Sequence, residues 1–460
     1  MVLTVVSMVA VAWNSPPRVV KPAGFQAMED AEQADLDQWL FQLYRRSGES
    51  TVEWVSTDSD TPPPAASRQY RDLIDNLLLS LKYYYKLNDE YAPSEFVSSW
   101  SAGTGERIVS NARLLSLETH VNYLLTLEMY RKVHSKAVFD NDLEYARQKV
   151  DDIFSEEWHT QFSWPLATYF DLMDLYEITG EEKYLEYAER YGAASDRTDP
   201  NSPYAFALEQ SFKIYSDIPR TVTPFNFYHA ALLADYGARY DDLPLQTQAK
   251  SMFDGIRDQL YDPRYKMLWK QASVSTPGSS TANYTRTFDA LEQFNAIRGI
   301  VEYYKVTGDP DAISLARALV EGIWGLGSKM LIHPPQGLSE GTFYGLYTAY
   351  DVEREAERLD QNEQTIVQIL LYDAMVLVNE VTRGELRDSI DFLVSWLETN
   401  GPVYRPEANG YLATYDEVWE VPEDPRVSGN AAIWMSKAIA RDEWYRMQRA
   451  AGIAIEAASN

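Results

Sequence analysis

Hydrophobic residues recur every three or four positions along the chain from about residue 67 onward. This spacing predicts α-helices, because it places the apolar side chains on one face of a helix with 3.6 residues per turn. Glycines, prolines and short polar stretches separate the periodic segments and predict the turns between them. The sequence has no convincing run of alternating polar and apolar residues, so we expect an all-α protein.

The predicted helices are of two kinds that alternate along the chain. Helices that are apolar and aromatic over most of their surface are expected to be packed on most sides, and they are predicted near 113–134, 163–179, 224–240, 285–307, 361–381 and 428–440. Helices with one charged face are expected to form an outer layer, and they are predicted near 67–91, 141–155, 182–192, 245–259, 310–326 and 385–399. Six inner and six outer helices predict a closed (α/α)6 toroid, in which 67–91 pairs with the last inner helix.

A short sequence recurs where three inner helices end. Leu175–Gly180, Tyr303–Gly308 and Val378–Gly384 each finish on threonine and glycine, the third with one residue inserted. Glycine is typical of a helix C-cap, because the left-handed backbone conformation costs it little. A repeat of this kind indicates an array of helix pairs. An open α-solenoid is the competing fold, but the long connections near 192–223, 260–284, 327–360 and 400–427 argue against regular units.

The phrase Tyr-x-x-Thr-Gly-Asp/Glu stands within Asp174–Tyr191 and again within Glu302–Val320. It is followed each time by a helix with alanine and leucine facing inward, and in this it resembles the six-hairpin glycosidase-like superfamily. The resemblance extends over residues 67–449 and concerns the arrangement of the helices. The motif indicates the turn of a helical hairpin and does not indicate a catalytic reaction. It implies a carbohydrate-related role, since that superfamily includes glycoside hydrolases, unsaturated uronyl hydrolases, sugar epimerases, toroid domains of polysaccharide lyases and non-catalytic members.

Residues 1–66 differ in composition from the toroid domain predicted over 67–460. Met1–Trp13 form an apolar run that is short for a membrane span and has the length of a signal-peptide core, although a basic segment before it is missing. We expect an extracytoplasmic protein, periplasmic or secreted, with a membrane anchor or a buried strand as alternatives for this run. Residues 14–66 are rich in Pro, Ser, Thr and Asp and predict a tether or a segment that wraps around the domain, with one short helix at Asp35–Arg46.

The composition excludes several classes of partner. The formal net charge of −28 disfavours nucleic acids and polyanionic substrates, because both would be repelled. The absence of cysteine excludes disulfides, thiolate nucleophiles and cysteine zinc sites. Metal motifs of the His-Glu-x-x-His type and phosphate-binding glycine loops are also missing. We therefore expect no cofactor and no metal, and an oligosaccharide or polysaccharide as the partner.

In a ring of this kind we expect the ligand at the end where the inner helices begin, because long loops gather there and helix N-termini present free N–H groups. Polar residues in these first turns are the substrate-binding candidates: His120, Asn226, Tyr228, His229, Arg286, Gln293, Gln364 and Asn430. Aromatic rings stack on the apolar face of a pyranose, and the candidates for this contact are Trp164, Trp419 and Trp100 in the predicted loop Ser98–Gly103.

Glycoside hydrolysis needs two carboxyl groups that flank the scissile bond, one protonated and one able to activate water. Asp289 or Glu292 on the fourth inner helix, with Glu363 on the fifth, meet this need, because neighbouring helix axes lie about 8–10 Å apart. The alternative is that these residues only complement the helix dipole. The sequence favours a glycoside hydrolase acting on oligosaccharides.

Three other functions stay open at this stage. A lyase or epimerase would use Tyr228 or His229 as a base and Arg286 to neutralise a substrate carboxylate. A non-catalytic toroid would serve as a sugar-binding or scaffold subunit. A membrane-tethered accessory protein of a larger complex would retain Met1–Trp13 in the lipid.

Overall fold

The computed structural model describes residues 73–78, 81, 96–101, 107–110, 113–134, 139–155, 167–194, 220–274, 283–325, 327–332, 343–360, 363–400, 404–405, 410–411 and 426–459. Predictions that fall elsewhere, including the apolar run Met1–Trp13 and the helix at Asp35–Arg46, lie outside the described residues. In the described part of the chain no helix has the length and apolar character needed to cross a membrane.

The described helices alternate between an inner and an outer layer. The inner helices are α1 (Arg113–His134), α3 (Ala167–Thr179), α5 (Asn226–Arg239), α7 (Ala290–Thr307), α9 (Gln364–Val381) and α11 (Gly429–Ser459). The outer helices are α2 (Asp140–Ser155), α4 (Glu182–Ala194), α6 (Leu243–Leu260), α8 (Pro310–Trp324) and α10 (Arg387–Ser395), which continues as a π-helical turn over Trp396–Asn400. This alternation confirms the prediction of an (α/α)6 toroid.

Each of the first five inner helices packs against the outer helix that follows it, and inner helices also pack against one another. Helix α5 packs on α7, α7 on α9 and α9 on α11, and α11 closes the circle by packing along α1. Helices α3 and α5 meet through the rings of Phe170 and Tyr228, whose centroids are 6.1 Å apart. The helical segment 73–78 takes the place of the first outer helix, since its apolar residues are buried and Asp75 accepts a hydrogen bond from Tyr130 of α1.

Short antiparallel strands occupy the connections at the start of the inner helices, which the hydrophobic pattern did not predict. They are β1 (Phe96–Ser101), β2 (Arg107–Ser110), β3 (Arg220–Val222), β4 (Tyr261–Asp262), β5 (Met267–Leu268), β6 (Gln271–Val274), β7 (Asn283–Thr285), β8 (Thr287–Asp289), β9 (Ala349–Asp351), β10 (Ala356–Arg358), β11 (Tyr404–Arg405), β12 (Gly410–Tyr411) and β13 (Arg426–Ser428). They form the sheets β13-β1-β2, β10-β9-β8 and β3-β6-β7 and the pairs β4-β5 and β11-β12. Ten of these thirteen described strands have only two or three residues, too few to show an alternating pattern.

Two helix boundaries and one loop assignment differ from the prediction. The fourth inner helix begins at Ala290 rather than near 285, because Thr287–Asp289 pair with Ala349–Asp351 as strands β8 and β9. The last inner helix does not end near 440 but runs to Ser459. Trp100 lies in strand β1, where it pairs with Arg107 and Val427, so its assignment to a loop was wrong.

Two of the three repeated glycines, Gly180 and Gly308, end their helices as predicted, whereas α9 ends at Val381 with Thr382 as its C-cap, and Arg383 and Gly384 follow with positive φ. Gly308 is the C-cap of α7, with φ of 65°, and Gly180 and Gly384 have φ of 72° and 102°. This left-handed conformation is open to glycine at little cost because it has no Cβ. Asp309 then caps α8, since its side chain accepts a hydrogen bond from the N–H of Asp311. The chain therefore turns from an inner to an outer helix within two residues.

Buried glutamines on two inner helices hold the connection that precedes each helix. Gln293 of α7 accepts a hydrogen bond from the N–H of Leu268 at 2.9 Å and donates one to its carbonyl at 2.7 Å. Gln368 of α9 does the same with Leu346, at 2.9 and 3.1 Å. Both side chains are fully buried. These paired hydrogen bonds fix the connections at the mouth of the ring and so shape the cavity beside them.

Candidate active site

A cavity of about 500 Å³ lies at the end of the ring where α7 and α9 begin, and we call it the rim cavity. Its lining residues are Lys270, Asp289, Thr348, Ala349, Arg358, Leu359, Asp360 and Glu363. The sheet β10-β9-β8 supplies one wall, because it joins the connection before α7 to the connection before α9. Two of the three carboxylates predicted from the sequence, Asp289 and Glu363, therefore face the same space.

The helix starts position these carboxylates. Asp289 is the N-cap of α7, and its Oδ1 accepts a hydrogen bond from the N–H of Glu292 at 3.3 Å. Its Oδ2 accepts a hydrogen bond from Nζ of Lys270 at 2.8 Å, and the same Nζ lies 3.9 Å from Oε1 of Glu292. Glu363 is the N-cap residue of α9 and makes no side-chain capping bond. Asp289 thus serves both as a cap and as the partner of a lysine, whereas Glu363 is left for other contacts.

Burial changes the acidity of two of the carboxyl groups. It raises the pKa of Glu292 to about 7, with a further contribution from the nearby negative charge of Asp289 that Lys270 only partly offsets. It also raises the pKa of Glu363, and there Asp289 and Asp360 add to the effect. Oε2 of Glu292 is buried and has no hydrogen-bond partner. A carboxyl group that keeps its proton near neutral pH beside a lysine-paired carboxylate is an arrangement suited to acid–base chemistry.

Several predicted substrate-binding residues are instead buried in structural roles. Gln293 holds Leu268, and Asn226, the first residue of α5, accepts a hydrogen bond from the N–H of Thr223 in the preceding connection at 2.8 Å. Tyr228 is buried and donates a hydrogen bond to Asn295 at 3.2 Å. His229 is buried as well, and burial lowers its pKa to about 4, so that it is neutral at physiological pH.

The remaining candidates are spread along the mouth of the ring. His120 and Gln364 are buried in α1 and α9, Asn430 is half-buried in the first turn of α11, and Arg286 is exposed between β7 and β8. Of the residues proposed for a lyase, Arg286 is exposed whereas Tyr228 and His229 are buried. Trp164 and Trp419 lie outside the described residues.

Sequence reasoning missed a buried group of charged and polar side chains at the centre of the ring, which we call the axial cluster. It comprises Asn122, Asp171, Arg298, Asp373, Lys437 and Arg441, contributed by α1, α3, α7, α9 and α11. Nη2 of Arg298 donates to Oδ1 of Asp171 at 2.5 Å, and Nζ of Lys437 donates to Asn122 at 2.8 Å. Arg441 donates to Asp373. A signal was present in the sequence, since each charge interrupts an otherwise apolar inner helix.

Mutual compensation keeps the axial cluster charged. Burial alone would raise the pKa of Asp171, but Arg298, Lys437 and Arg441 together hold it at about 2. Burial lowers the pKa of Lys437 to about 8, and the neighbouring arginines act in the same direction. Glu118, which is half-buried above the cluster, has its pKa raised by burial. Buried charges of this kind are tolerated only while their partners stay in place.

A metal site is not evident in the described part of the chain, where no three His, Asp or Glu side chains are grouped to hold an ion. No protein-family model and no curated protein matches the sequence. Solved structures do match, and they show that the chain has the (α/α)6 toroid fold.

Three of these solved structures cover the chain almost to the same extent. An unsaturated glucuronyl hydrolase specific for heparin has a TM-score of 0.55 and 13% identity, over 84% of this chain and 98% of its own. A glycoside hydrolase family 76 mannosidase from Bacteroides thetaiotaomicron has a TM-score of 0.55 and 9% identity, over 84% and 100%. An inactive variant of an α-1,6-mannanase from Salegentibacter sp., in complex with α-1,6-mannotetrose, has a TM-score of 0.52 and 12% identity, over 82% and 99%.

Proposed function

We propose that the protein is a carbohydrate hydrolase whose reaction takes place in the rim cavity. The observation that carries the proposal is the meeting of Asp289 and Glu363 in one cavity, with Glu292 beside them and its pKa raised to about 7. The fold shared with glycoside hydrolases supports the same class of reaction. Fold alone would not suffice, because function resides in the site.

In the proposed reaction Glu292 is the general acid and Glu363 the general base. Glu292 gives its proton to the glycosidic oxygen as the bond from the anomeric carbon to that oxygen breaks. Glu363 takes a proton from the water molecule whose oxygen forms the new bond to the anomeric carbon. Burial raises the pKa of Glu292, and the negative charge of Asp289, which is held by Lys270, adds to this effect and helps to keep the proton in place.

Charge in and around the cavity favours a neutral substrate. The lining contains Asp289, Asp360 and Glu363 against Lys270 and Arg358, and Glu292 adds a further carboxyl group. The formal net charge of the chain is −28. An oligosaccharide without carboxylate or sulfate groups would be repelled less than a polyanion. Oligosaccharides of mannose are the first substrates to test, since the Salegentibacter mannanase was solved with α-1,6-mannotetrose.

The experiment is an activity and binding screen of the full chain against a panel of neutral, amino and uronic oligosaccharides. It is repeated with Glu292→Gln and Glu363→Gln, and with Glu353→Gln as a matched control on an exposed position of the β9–β10 turn. We expect each active-site variant to lose roughly 100-fold or more in kcat/KM and the control to keep wild-type turnover. Wild-type turnover that neither active-site variant reduces would remove these residues from the mechanism. Absence of both binding and turnover would favour the scaffold function.

The location of the protein stays a prediction. The apolar run Met1–Trp13 favours an extracytoplasmic hydrolase, either released or anchored through this run. N-terminal sequencing of the mature protein distinguishes the two forms, because an anchored form retains these residues.

A further inference from the structure

A second cavity, of about 280 Å³, lies at the opposite end of the ring, where the inner helices end. We call it the far cavity. Its lining includes Asp174 near the end of α3, Lys305 near the end of α7, Glu380 near the end of α9, and Arg441, Trp444 and Tyr445 from α11. None of these residues takes part in the proposed reaction, and the far cavity is separated from the rim cavity by the length of the inner helices.

The far cavity has an unsatisfied hydrogen-bond donor beneath it. Arg441 is only 1% exposed, and its Nη1 donates to Asp373. Its Nη2 makes no hydrogen bond: it lies 3.6 Å from Oδ1 of Asp171 and 3.6 Å from Oδ2 of Asp174, and both distances are too long for one. A buried donor without an acceptor is costly, so a ligand atom that accepts a hydrogen bond at this place would relieve that cost.

The far cavity also has an unsatisfied hydrogen-bond acceptor in its lining. Oε2 of Glu380 accepts no hydrogen bond, and its nearest cation is Nζ of Lys305 at 3.6 Å. The same Nζ lies 3.5 Å from Oε2 of Glu302. The site therefore offers one donor and one acceptor, in a lining with three carboxyl groups, Asp174, Glu177 and Glu380, against the two cations Lys305 and Arg441. A group that both donates and accepts, such as a hydroxyl, fits this pair better than a charged group.

Aromatic side chains complete the lining. Trp444 and Tyr445 are adjacent in α11 and both border the far cavity. An indole or phenol ring contacts apolar C–H groups and leaves the hydroxyl groups of a sugar free for polar side chains. The volume lies just below the range of cavities that hold drug-sized ligands, which suits one sugar ring rather than a chain.

We propose that the far cavity binds a single neutral pyranose ring, and that it is a second sugar site independent of the rim cavity. In the bound complex, sugar hydroxyls accept from Arg441 and donate to Glu380, and the C–H face of the ring lies against Trp444. The proposal does not depend on the hydrolase function, because a non-catalytic toroid with this far cavity would bind the same ligand.

The test is ligand-detected saturation-transfer NMR on the full chain, with methyl α-mannopyranoside, methyl α-glucopyranoside and methyl β-galactopyranoside as probes. Glu380→Gln replaces the charged acceptor, and Gln448→Trp places a bulky side chain at an exposed position of the cavity opening without disturbing the core. We expect at least one probe to bind the wild type, about 10-fold weaker binding to Glu380→Gln, and no binding to Gln448→Trp. The control is Glu353→Gln, an exposed position that lines neither cavity and should bind the probe as the wild type does, and Glu363→Gln alters the rim cavity and reports the part of the probe signal that arises there.

The results separate the two proposals. Probe binding that survives in Glu363→Gln and disappears in Gln448→Trp supports the far cavity, whatever happens to glycan turnover. If no probe binds the wild type, or if binding disappears in Glu363→Gln and survives in Gln448→Trp, the far cavity is not a sugar site. Turnover of oligosaccharides by Gln448→Trp at the wild-type rate would show that the fold and the rim cavity are intact.

Discussion

Replacing Glu292 with glutamine should stabilise the protein at alkaline pH although it removes a proposed catalytic group. Burial raises the pKa of this carboxyl group to about 7, so the folded protein binds its proton more tightly than the unfolded chain does. The stability contributed by the protonated form is complete below pH 4.5 and is lost as the pH rises through 7. Glutamine resembles the protonated form at every pH and therefore does not incur this loss.

The magnitude follows from the difference between the two pKa values. The folded pKa of about 7 lies about 2.5 pH units above the ordinary value of 4.5. One pH unit corresponds to about 1.36 kcal/mol, so the carboxylate costs up to about 3 kcal/mol at pH 8. The cost is below about 1 kcal/mol at pH 5, because the folded group is then protonated. The Glu292 side chain is 13% exposed, which leaves little room for screening by water.

The assay is urea unfolding followed by tryptophan fluorescence at pH 5, 6, 7 and 8, on wild type, Glu292→Gln and the exposed control Glu353→Gln. Comparison of variants at equal pH cancels the repulsion that arises from the net charge of −28. The stability advantage of Glu292→Gln over the wild type should grow from pH 5 to pH 8, and Glu353→Gln should show no such trend. If Glu292→Gln is less stable than the wild type at pH 8, or if its advantage does not change with pH, Glu292 does not carry a raised pKa and cannot be the proposed acid.

Two further predictions concern the ring itself. Asp171→Asn should lower the free energy of unfolding by about 3–5 kcal/mol, because Arg298 would lose its buried partner. Urea titration measures this difference. A loss below about 1 kcal/mol would contradict the charge compensation described for the axial cluster. Gly299→Ala should lower the thermal midpoint by more than Gly308→Ala does. A Cβ at 299 would lie 2.8 Å from the backbone nitrogen of Tyr228 and force α5 and α7 apart, whereas at 308 it meets nothing within 4 Å and costs only the left-handed conformation, about 1 kcal/mol. Equal thermal midpoints for Gly299→Ala and Gly308→Ala would mean that α5 and α7 can move apart at little cost.

Part of the candidate site could be predicted from the sequence because helix starts are local features. Acidic residues in the first turns of predicted inner helices located Asp289 and Glu363 near the mouth of the ring, although the structure places both as N-cap residues just before their helices. The meeting of the two residues depends on the pairing of β8 with β9, which joins connections that are far apart in the chain. Lys270, which holds Asp289, lies in one of those connections and had no signal in the sequence.

The axial cluster marks a second limit of sequence reasoning. Charged residues inside apolar helices, such as Asp171 and Arg298, indicate that buried partners exist, since an unpaired buried charge is costly. Periodicity along one helix cannot say which helix provides the partner. That choice depends on the rotation of each inner helix about its own axis, which is set by packing against its neighbours. For the same reason His229 and Gln293 were predicted as ligand contacts and are buried instead.

The sequence by itself determined the all-α class, the alternation of inner and outer helices and the turns at Gly180 and Gly308, because these depend on spacing and backbone conformation within a few residues. The tertiary structure alone decided which polar side chains share a cavity. Closing the ring brings together residues from helices that are distant in the chain, and only that closure makes a carboxyl group such as Glu292 buried enough to hold its proton near neutral pH.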